Sequence, residues 1–355
     1  MRLLTVRRLF CLTVADYSSL SYRLRSSEDM AASSSLLFED RAKKFYTFDE
    51  VQHDSFRTTH LSPLRHRSSK AAYGGLIFSQ ALAAAENTVE TNMKPHAMHS
   101  FFLLNVDTSL PVQYNVRRVR DGRSFSTRTV EAVQEGKTVF IFQVSFHTIE
   151  PDSAVHQDDM PDVPSWKDLK SVTDLVPWLK AEVAQGRIKL KRPVERWMNS
   201  YDDSSDGKGD ANAEERGDLF EIRPCSPEKY VGIGDSNTTR TYHSWFRAKG
   251  SLGDCEKLHR YLVVYNTDST MAGTAYRPHF VNNFEMSMLF TLDHNVWMHQ
   301  HDVRADQWML FENTSTVAGK GRAFVTGKLW SEDGVLLLSC TQEVVLRTRG
   351  DVSRI

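Results

Sequence analysis

Apolar and polar positions in the first half of the chain predict one long helix followed by several strands. Residues 76–86, preceded by Tyr73-Gly-Gly75, are apolar on nearly all sides and rich in alanine, which is typical of a helix enclosed by a sheet. Apolar and polar residues then alternate at the period of a strand, and we predict strands at 112–120, 125–134 and 138–147.

The second half of the chain carries a similar pattern. Leu258, Tyr261, Leu262 and Tyr265 recur at the spacing i, i+3, i+4 and i+7, which predicts a helix with an apolar face. A helix followed by antiparallel strands therefore occurs twice. We predict an α+β protein in which a curved sheet folds around one long helix in each half.

A short repeated motif supports duplication of one unit. Gly122-Arg-Ser-Phe-Ser-Thr127 and Gly321-Arg-Ala-Phe-Val-Thr326 match each other, and they lie 199 residues apart, from Gly122 to Gly321. Each copy precedes an acidic turn with glycine, Glu135-Gly136 or Asp333-Gly334, and then an apolar run. The ordered recurrence of all three features is the signature of a duplicated unit.

Composition and charge exclude several classes of protein. The 355 residues exceed what one core usually covers, since a domain takes about 150 residues. A net charge of −1 and a pI near 6.9 give no general field for nucleic acid or anionic membranes. No apolar run reaches the ~18 residues of a membrane span, and four cysteines without CxxC spacing indicate a reducing compartment.

Three segments of the second half carry a family resemblance. They are Tyr265-Asn-Thr-Asp268, the stretch from Thr291 to His299, and the stretch from Asp333 to Gln342. Together they resemble the type II acyl-CoA thioesterases, the family of bacterial thioesterase II and of the peroxisomal acyl-CoA thioesterase of animals. The resemblance implies a double hotdog fold, in which two antiparallel sheets each wrap around a central helix and join side by side.

The predicted division of the chain follows from these patterns. The first hotdog domain is expected at 36–150 and the second, with the catalytic residues, at 215–347. The linker 151–214 contains a predicted helix at 166–185 and an acidic run at 202–210 that is too polar to order itself, so we expect a flexible insertion. An N-terminal extension, 1–35, and a C-terminal tail, 348–355, complete the chain.

The resemblance assigns a catalytic role to Asp268, Thr291 and Gln342. A carboxylate, a hydroxyl and an amide can orient one water, with Asp268 as the general base for its direct attack on a thioester. Taken singly, each residue has an ordinary structural explanation. Asp268 lies just past the predicted helical run, where Asp is common in caps and turns, Thr291 is a strand former, and Gln342 lies near a predicted strand end.

The start of the first helix is the expected source of oxyanion donors. Backbone N–H groups around Gly75 and Leu76 suit this role, because a helix N-terminus carries partial positive charge. Relatives usually have Gly-Gly-Gln where this chain has Gly74-Gly75-Leu76. The departure puts in doubt a substrate contact or an oxyanion donor. No metal and no cofactor are expected, since CoA is part of the acyl-CoA substrate.

Two other functions remain open at the level of sequence. Asp293 and His299 loosely resemble the aspartate and histidine of hotdog enoyl-CoA hydratases, although their spacing is one residue longer and the usual proline is missing. A non-catalytic hotdog that only binds acyl-CoA is the second alternative. A metal site using His294, His299 and His301 is disfavoured because their spacing matches no strong ligand motif.

Both ends of the chain carry features of targeting signals. Ser353-Arg354-Ile355 resembles the peroxisomal tripeptide S-K-L, which predicts binding to the peroxisomal import receptor and a location in the peroxisomal matrix. The Arg-rich first 29 residues are read either as a mitochondrial presequence or as a disordered tail, with translation starting at Met1 or Met30. A cytosolic location is the remaining alternative. We also expect a homo-oligomer, because sheets of this kind leave exposed edges and an apolar face.

Overall fold

Twelve strands among the described residues form one continuous antiparallel sheet. The computed structural model describes residues 38–61, 70–205, 219–233, 240–350 and 352–354. The strands are β1 Asp49–Gln52, β2 Ser55–Thr58, β3 Met93–Phe102, β4 Val112–Asp121, β5 Phe125–Gln134, β6 Lys137–Thr148, β7 Phe220–Pro224, β8 Thr241–Ala248, β9 Met286–Met298, β10 Met309–Gly319, β11 Arg322–Ser331 and β12 Leu336–Thr348. Their order across the sheet is β1-β2-β4-β5-β6-β3-β9-β12-β11-β10-β8-β7.

Two central helices lie against this sheet, one in each half. The helices are α1 38–44, α2 Gly74–Glu86, α3 Val172–Ala184, α4 Arg192–Ser205, α5 Pro227–Tyr230 and α6 Glu256–Tyr276, with 3-10 turns at Trp166–Asp168 and Arg277–Asn282. In α2 every residue from Gly75 to Glu86 is buried, as its uniformly apolar sequence predicts. The α+β double hotdog predicted from sequence is confirmed.

The two halves join where β3 pairs with β9. Their register runs from Ala97 opposite Trp297 to Phe101 opposite Asp293, and it makes two sheets into one. The central helices also meet, through a buried ion pair in which Arg260 Nη2 lies 3.0 Å from Glu86 Oε1. The inner face of the sheet, defined as the face that packs on α2 and α6, is therefore continuous across the join.

The duplication is visible in the hydrogen-bond register. The carbonyl oxygen of Val139, at a bulge in β6, accepts from two consecutive N–H groups, Leu103 and Leu104. The carbonyl oxygen of Leu337, at the matching bulge in β12, accepts from His299 and Gln300. Leu337 lies 198 residues after Val139, one fewer than the offset of the sequence motif. Thus β6 and β12, the last strands of the two halves, correspond residue by residue at an offset of 198.

The linker is more ordered than its sequence predicts. The helix predicted at 166–185 is present but shorter, because Ser171 forms a capping box with Asp174 and so begins α3 at Val172, after a separate 3-10 turn at Trp166–Asp168. In that turn, Trp166 stacks on Trp308 with ring centroids 4.7 Å apart and helps to cover the outer face of the second half. A tryptophan pair of this kind buries a large apolar area, which fixes the segment.

Part of the predicted flexible insertion is helical. Asp202 to Ser205 form the end of α4, and residues 206–210 of the acidic run lie outside the described residues. The predicted N-terminal extension, 1–35, also lies outside them. Over the described ranges, none of the helices has the length and apolar character needed to cross a membrane.

Candidate active site

Asp268, Thr291 and Gln342 meet on the inner face of the sheet, although α6, β9 and β12 supply one each. Gln342 Nε2 donates to Asp268 Oδ1 and also to Thr291 Oγ1, at 3.1 Å for the second bond. Thr291 Oγ1 donates to Asp268 Oδ1 at 3.4 Å. The predicted trio is therefore assembled as a hydrogen-bonded cluster.

A bulge in β9 turns Thr291 towards the site. Gln342 of β12 pairs with His294 of β9, and both side chains are fully buried on the inner face. Val344, the next inward residue of β12, pairs with Thr291, because Leu292 is an extra residue in β9. Without that residue the alternation of the strand would point Thr291 outwards. The bulge is the local feature that completes the trio.

The first half supplies a backbone donor to the same cluster. The N–H of Gly75, at the start of α2, donates to Asp268 Oδ2 at 2.9 Å. A Cβ atom at Gly75 would lie 2.2 Å from the carbonyl oxygen of Tyr265, and one at Gly74 would lie 2.9 Å from Asp268 Oδ2. Only glycine permits this approach of α2 to α6. Both halves of the chain are therefore needed to build the site.

The predicted oxyanion donors are placed beside Asp268 but have partners in this structure. The N–H of Gly75 bonds to Asp268, and the N–H of Leu76 bonds to the carbonyl oxygen of Tyr73 at 3.1 Å. The Leu76 side chain is fully buried. An oxyanion role for these N–H groups remains a prediction.

The environment of Asp268 favours its action as a base. The residue is only partly exposed, and the protein surrounds its carboxylate closely enough for desolvation to raise the pKa. Hydrogen bonds from Gln342, Gly75 and Thr291 act in the opposite direction and stabilise the ionised form. A carboxylate with a raised pKa is a stronger base than one in water.

Known proteins resemble the chain in both halves. Residues 63–147 match the N-terminal domain of acyl-CoA thioesterases, and residues 200–346 match the C-terminal domain. The chain is 35% identical to mouse acyl-coenzyme A thioesterase 8 over 290 residues, which are 81% of this chain and 83% of the mouse protein. The chain belongs to the acyl-CoA thioesterase family. It is therefore a thioester hydrolase.

Other relatives of this thioesterase extend the comparison. It is 24% identical to yeast peroxisomal acyl-coenzyme A thioester hydrolase 1, over 81% of this chain and 89% of the yeast protein. An acyl-CoA thioesterase II structure from Mycobacterium marinum matches with a TM-score of 0.64 and 26% identity, over 87% of this chain and 99% of that one. A hot dog protein from Alicyclobacillus acidocaldarius shares the fold, with a TM-score of 0.61, 16% identity and coverage of 88% and 99%.

The sequence pattern misplaced two of the predicted site residues within their elements. Asp268 does not lie past the helix but well inside α6, which runs on to Tyr276. Gln342 lies in the middle of β12 rather than near its end, and it is fully buried rather than solvated. Both errors came from local polarity. Asn266-Thr-Asp-Ser-Thr270 is unfavourable for a helix, but its packing against the sheet overrides that preference.

The histidines and Asp293 do not join the trio. Asp293 Oδ1 accepts from Asn295 Nδ2 at 3.2 Å and from the N–H of Glu343, also at 3.2 Å. His299 Nε2 lies 2.9 Å from Ser339 Oγ, near the far end of β9. His294 is a packed core residue whose Nε2 lies 2.8 Å from Thr267 Oγ1, a pair that no sequence signal indicated.

The predicted targeting tripeptide lies against the 3-10 turn that follows α6. Ser353 Oγ lies 2.9 Å from His279 Nδ1 and accepts from Asn282 Nδ2 at 3.0 Å. Asn282 Nδ2 also donates to the carbonyl oxygen of Arg354 at 3.1 Å. Ile355 lies outside the described residues.

Proposed function

We propose that this enzyme hydrolyses fatty acyl-CoA to free fatty acid and CoA by direct attack of a water that Asp268 activates. The observation that carries the proposal is the cluster of Asp268, Thr291 and Gln342, in which a carboxylate with a raised pKa is bound by an amide and a hydroxyl. Membership of the family indicates the class of reaction, and the cluster provides the groups proposed to activate and position the water.

In the proposed reaction, Asp268 takes one proton from the water while the water oxygen attacks the thioester carbonyl carbon. Thr291 and Gln342 fix the position of that water. The N–H groups of Gly75 and Leu76, at the start of α2, exchange their partners Asp268 and Tyr73 for the oxyanion and stabilise it. The intermediate then collapses and the carbon–sulfur bond breaks. The CoA thiolate leaves and recovers the proton from Asp268, so the enzyme returns to its starting state.

The proposed chemistry uses water and protein groups alone. Purified enzyme is therefore expected to release free thiol from acyl-CoA without added metal or nucleotide, as measured with a thiol reagent. A series of acyl-CoA substrates of different length and branching would define the acyl group that fits. Binding of acyl-CoA without thiol release from any member would contradict hydrolysis and support the binding-protein alternative.

The hydratase alternative finds no support in the geometry. Asp293 is bound by Asn295 and by the N–H of Glu343, whereas His299 is bonded to Ser339. Asp293 and His299 are six positions apart, which corresponds to about 20 Å of extended strand. A general acid and base must reach one substrate together. Formation of hydroxyacyl-CoA from enoyl-CoA, without thiol release, would reverse this choice.

We also propose import into the peroxisomal matrix through Ser353-Arg354-Ile355 and the import receptor. The likeness to a yeast relative named as peroxisomal supports this location. A fluorescent protein fused before the chain should give a punctate pattern, and one fused after Ile355 should give a diffuse pattern. Mitochondrial labelling by the second fusion would instead identify the N-terminal segment as the signal.

Exposed apolar side chains support assembly into a homo-oligomer. Phe101 of β3 and Phe290 of β9 are 54% and 46% exposed, and both lie beside the join between the halves. Light scattering should give a mass above the 40.6 kDa of one chain. A mass of one chain at all concentrations would contradict the proposal.

A further inference from the structure

His294 forms a buried hydrogen bond with the residue that precedes Asp268. Its Nε2 lies 2.8 Å from Thr267 Oγ1, and the same hydroxyl donates to the carbonyl oxygen of Val264 at 2.7 Å. A threonine hydroxyl has one hydrogen, and Val264 accepts it. The imidazole must therefore donate, which fixes the tautomer with hydrogen on Nε2.

The same imidazole lies beside Gln342 of β12. His294 of β9 stands directly opposite Gln342 of β12, and both side chains are fully buried on the inner face. Its ring also makes an edge contact with Phe78 of α2, at 5.0 Å between centroids. Burial lowers its pKa to about 3, so the ring stays neutral and remains a donor at physiological pH.

The first half shows that the fold does not need a histidine at this position. Its β3 has a bulge at His96, just as β9 has a bulge at Leu292. Beyond each bulge, Met98 pairs with Val144 in the way that His294 pairs with Gln342. Met98 is fully buried and apolar. A polar side chain at this place occurs only in the half that holds the trio.

We propose that His294 is a positioning residue for thioester hydrolysis, holding the turn of α6 that presents Asp268 at a fixed height above β9. This inference rests on the proposed function, because it assigns His294 no chemistry of its own. The Nε2–H donor fixes Thr267, and the peptide unit that follows carries the general base. Small displacements of a catalytic group are costly, since an error of about 1 Å can lower a rate by about 100-fold.

Four variants test the contact by kinetics. His294→Met introduces the first-half residue, and Thr267→Val removes the acceptor without a large change of shape. Each should lower kcat by roughly 10- to 100-fold with little change in KM. The double variant should be no worse than either single variant, because both remove one interaction. Thr267→Ser keeps the hydroxyl and should retain nearly wild-type kcat.

A matched control comes from the first half. Tyr114 Oη donates to Gln80 Oε1 at 2.7 Å, a buried hydrogen bond between α2 and the sheet that does not involve the trio. Tyr114→Phe should leave kcat within about 2-fold of wild type, since it removes a buried hydrogen bond that does not involve Asp268. Thermal unfolding of every variant checks the fold. A loss of kcat in Tyr114→Phe equal to that in His294→Met would overturn a specific role for His294.

Nitrogen-15 NMR of the imidazole tests the state of the ring without any assay of activity. The His294 signal, assigned by its absence in His294→Met, should show hydrogen on Nε2 and no titration between pH 5 and 8. A signal with hydrogen on Nδ1, or one that titrates near the ordinary histidine pKa of about 6.5, would contradict the inference.

Different results would contradict the proposed mechanism and the positioning role of His294. If Asp268→Asn were fully active, the proposed mechanism would be wrong whatever His294 does. If Asp268→Asn were inactive while His294→Met and Thr267→Val kept wild-type kcat, only the positioning role would be wrong.

Discussion

In the first half, Phe78 of α2 packs against Phe142 of β6, with ring centroids 5.1 Å apart. In the second half, Met271 of α6 contacts Cys340 of β12, with their sulfur atoms 3.5 Å apart. Cys340 is the register equivalent of Phe142, since the two last strands correspond at an offset of 198 residues. Phe78 and Met271 therefore occupy equivalent positions on the two central helices.

The same equivalence shows which residues of the first half stand where the second half has the predicted catalytic residues. Three residues before Phe78 lies Gly75, and three residues before Met271 lies Asp268. The registers of the strands likewise match Pro95 with Thr291 and Val144 with Gln342. The first half thus lacks the carboxylate, the hydroxyl and the amide. It contributes a glycine N–H to the one cluster that the second half builds.

The difference also shows where the fold tolerates imperfect packing. Gln342 Oε1 and His294 Nδ1 are buried and have no hydrogen-bond partner among the described residues. Their equivalents in the first half, Val144 and Met98, are apolar core residues. Buried polar atoms without partners cost stability.

Asp268→Asn should lower kcat more than the other variants, because it removes the carboxylate proposed as the general base. Loss of a general base typically lowers kcat by about 10²- to 10⁴-fold, whereas KM should change little. Thiol release from acyl-CoA measures the rate. Thermal unfolding of the same preparation checks that the variant is folded. Wild-type kcat in this variant would refute the assignment of the base.

Gly75→Ala tests the contribution of the first half. The added Cβ would lie 2.2 Å from the carbonyl oxygen of Tyr265, so α2 must move away from α6 and from Asp268. We expect a loss of kcat of about 100-fold, the cost of a displacement near 1 Å. Gly319→Ala is the matched control, because nothing lies within 4 Å of its added Cβ. Equal activity of both variants would show that the contact is dispensable.

Gln342→Met makes the second half resemble the first by replacing an amide with an apolar side chain of similar length. The water loses one of its partners, and kcat should fall by about 10-fold or more. Stability should be maintained, since the change also removes the unpaired Oε1. Kinetics and thermal unfolding of the same preparation measure both effects. A parallel loss of stability and activity would assign Gln342 a structural role.

The pH dependence of kcat is expected to show the smallest effect. Asp268 must be ionised to act as a base, and desolvation raises its pKa, so kcat should fall as the pH drops through a value above the ordinary ~4. Stability should respond in the opposite direction. A folded-state pKa above the unfolded value means that the folded protein gains a proton first, which relieves a destabilising charge as the pH falls. Asp268→Asn should remove this term from the pH dependence of unfolding.

The sequence predicted the periodic parts of the fold well. Alanine-rich and alternating runs indicated α2 and β4 to β6, and the family resemblance indicated all three members of the trio. The sequence did not indicate the bulge at Leu292, because one extra residue changes no local pattern. It also missed the helical setting of Asp268, since packing against the strands of the second half holds that polar stretch in α6.

Contacts between distant parts of the chain could not be predicted from the sequence either. The bond between Gly75 and Asp268 joins residues 193 positions apart, and the stacking of Trp166 on Trp308 fixes the part of the linker where the sequence predicted only a helix. Both depend on how two units pack together. Neither follows from the preferences of the residues concerned.

The source of the oxygen in the product tests the central claim most directly. A single turnover is run with enzyme in excess over acyl-CoA, in water enriched in ¹⁸O, and the fatty acid is analysed by mass spectrometry. Direct attack by the water bound at Asp268, Thr291 and Gln342 predicts one ¹⁸O atom in the fatty acid from the first turnover. An unlabelled fatty acid, with ¹⁸O found instead in the Asp268 carboxylate, would show that Asp268 itself attacked the thioester and would contradict the account.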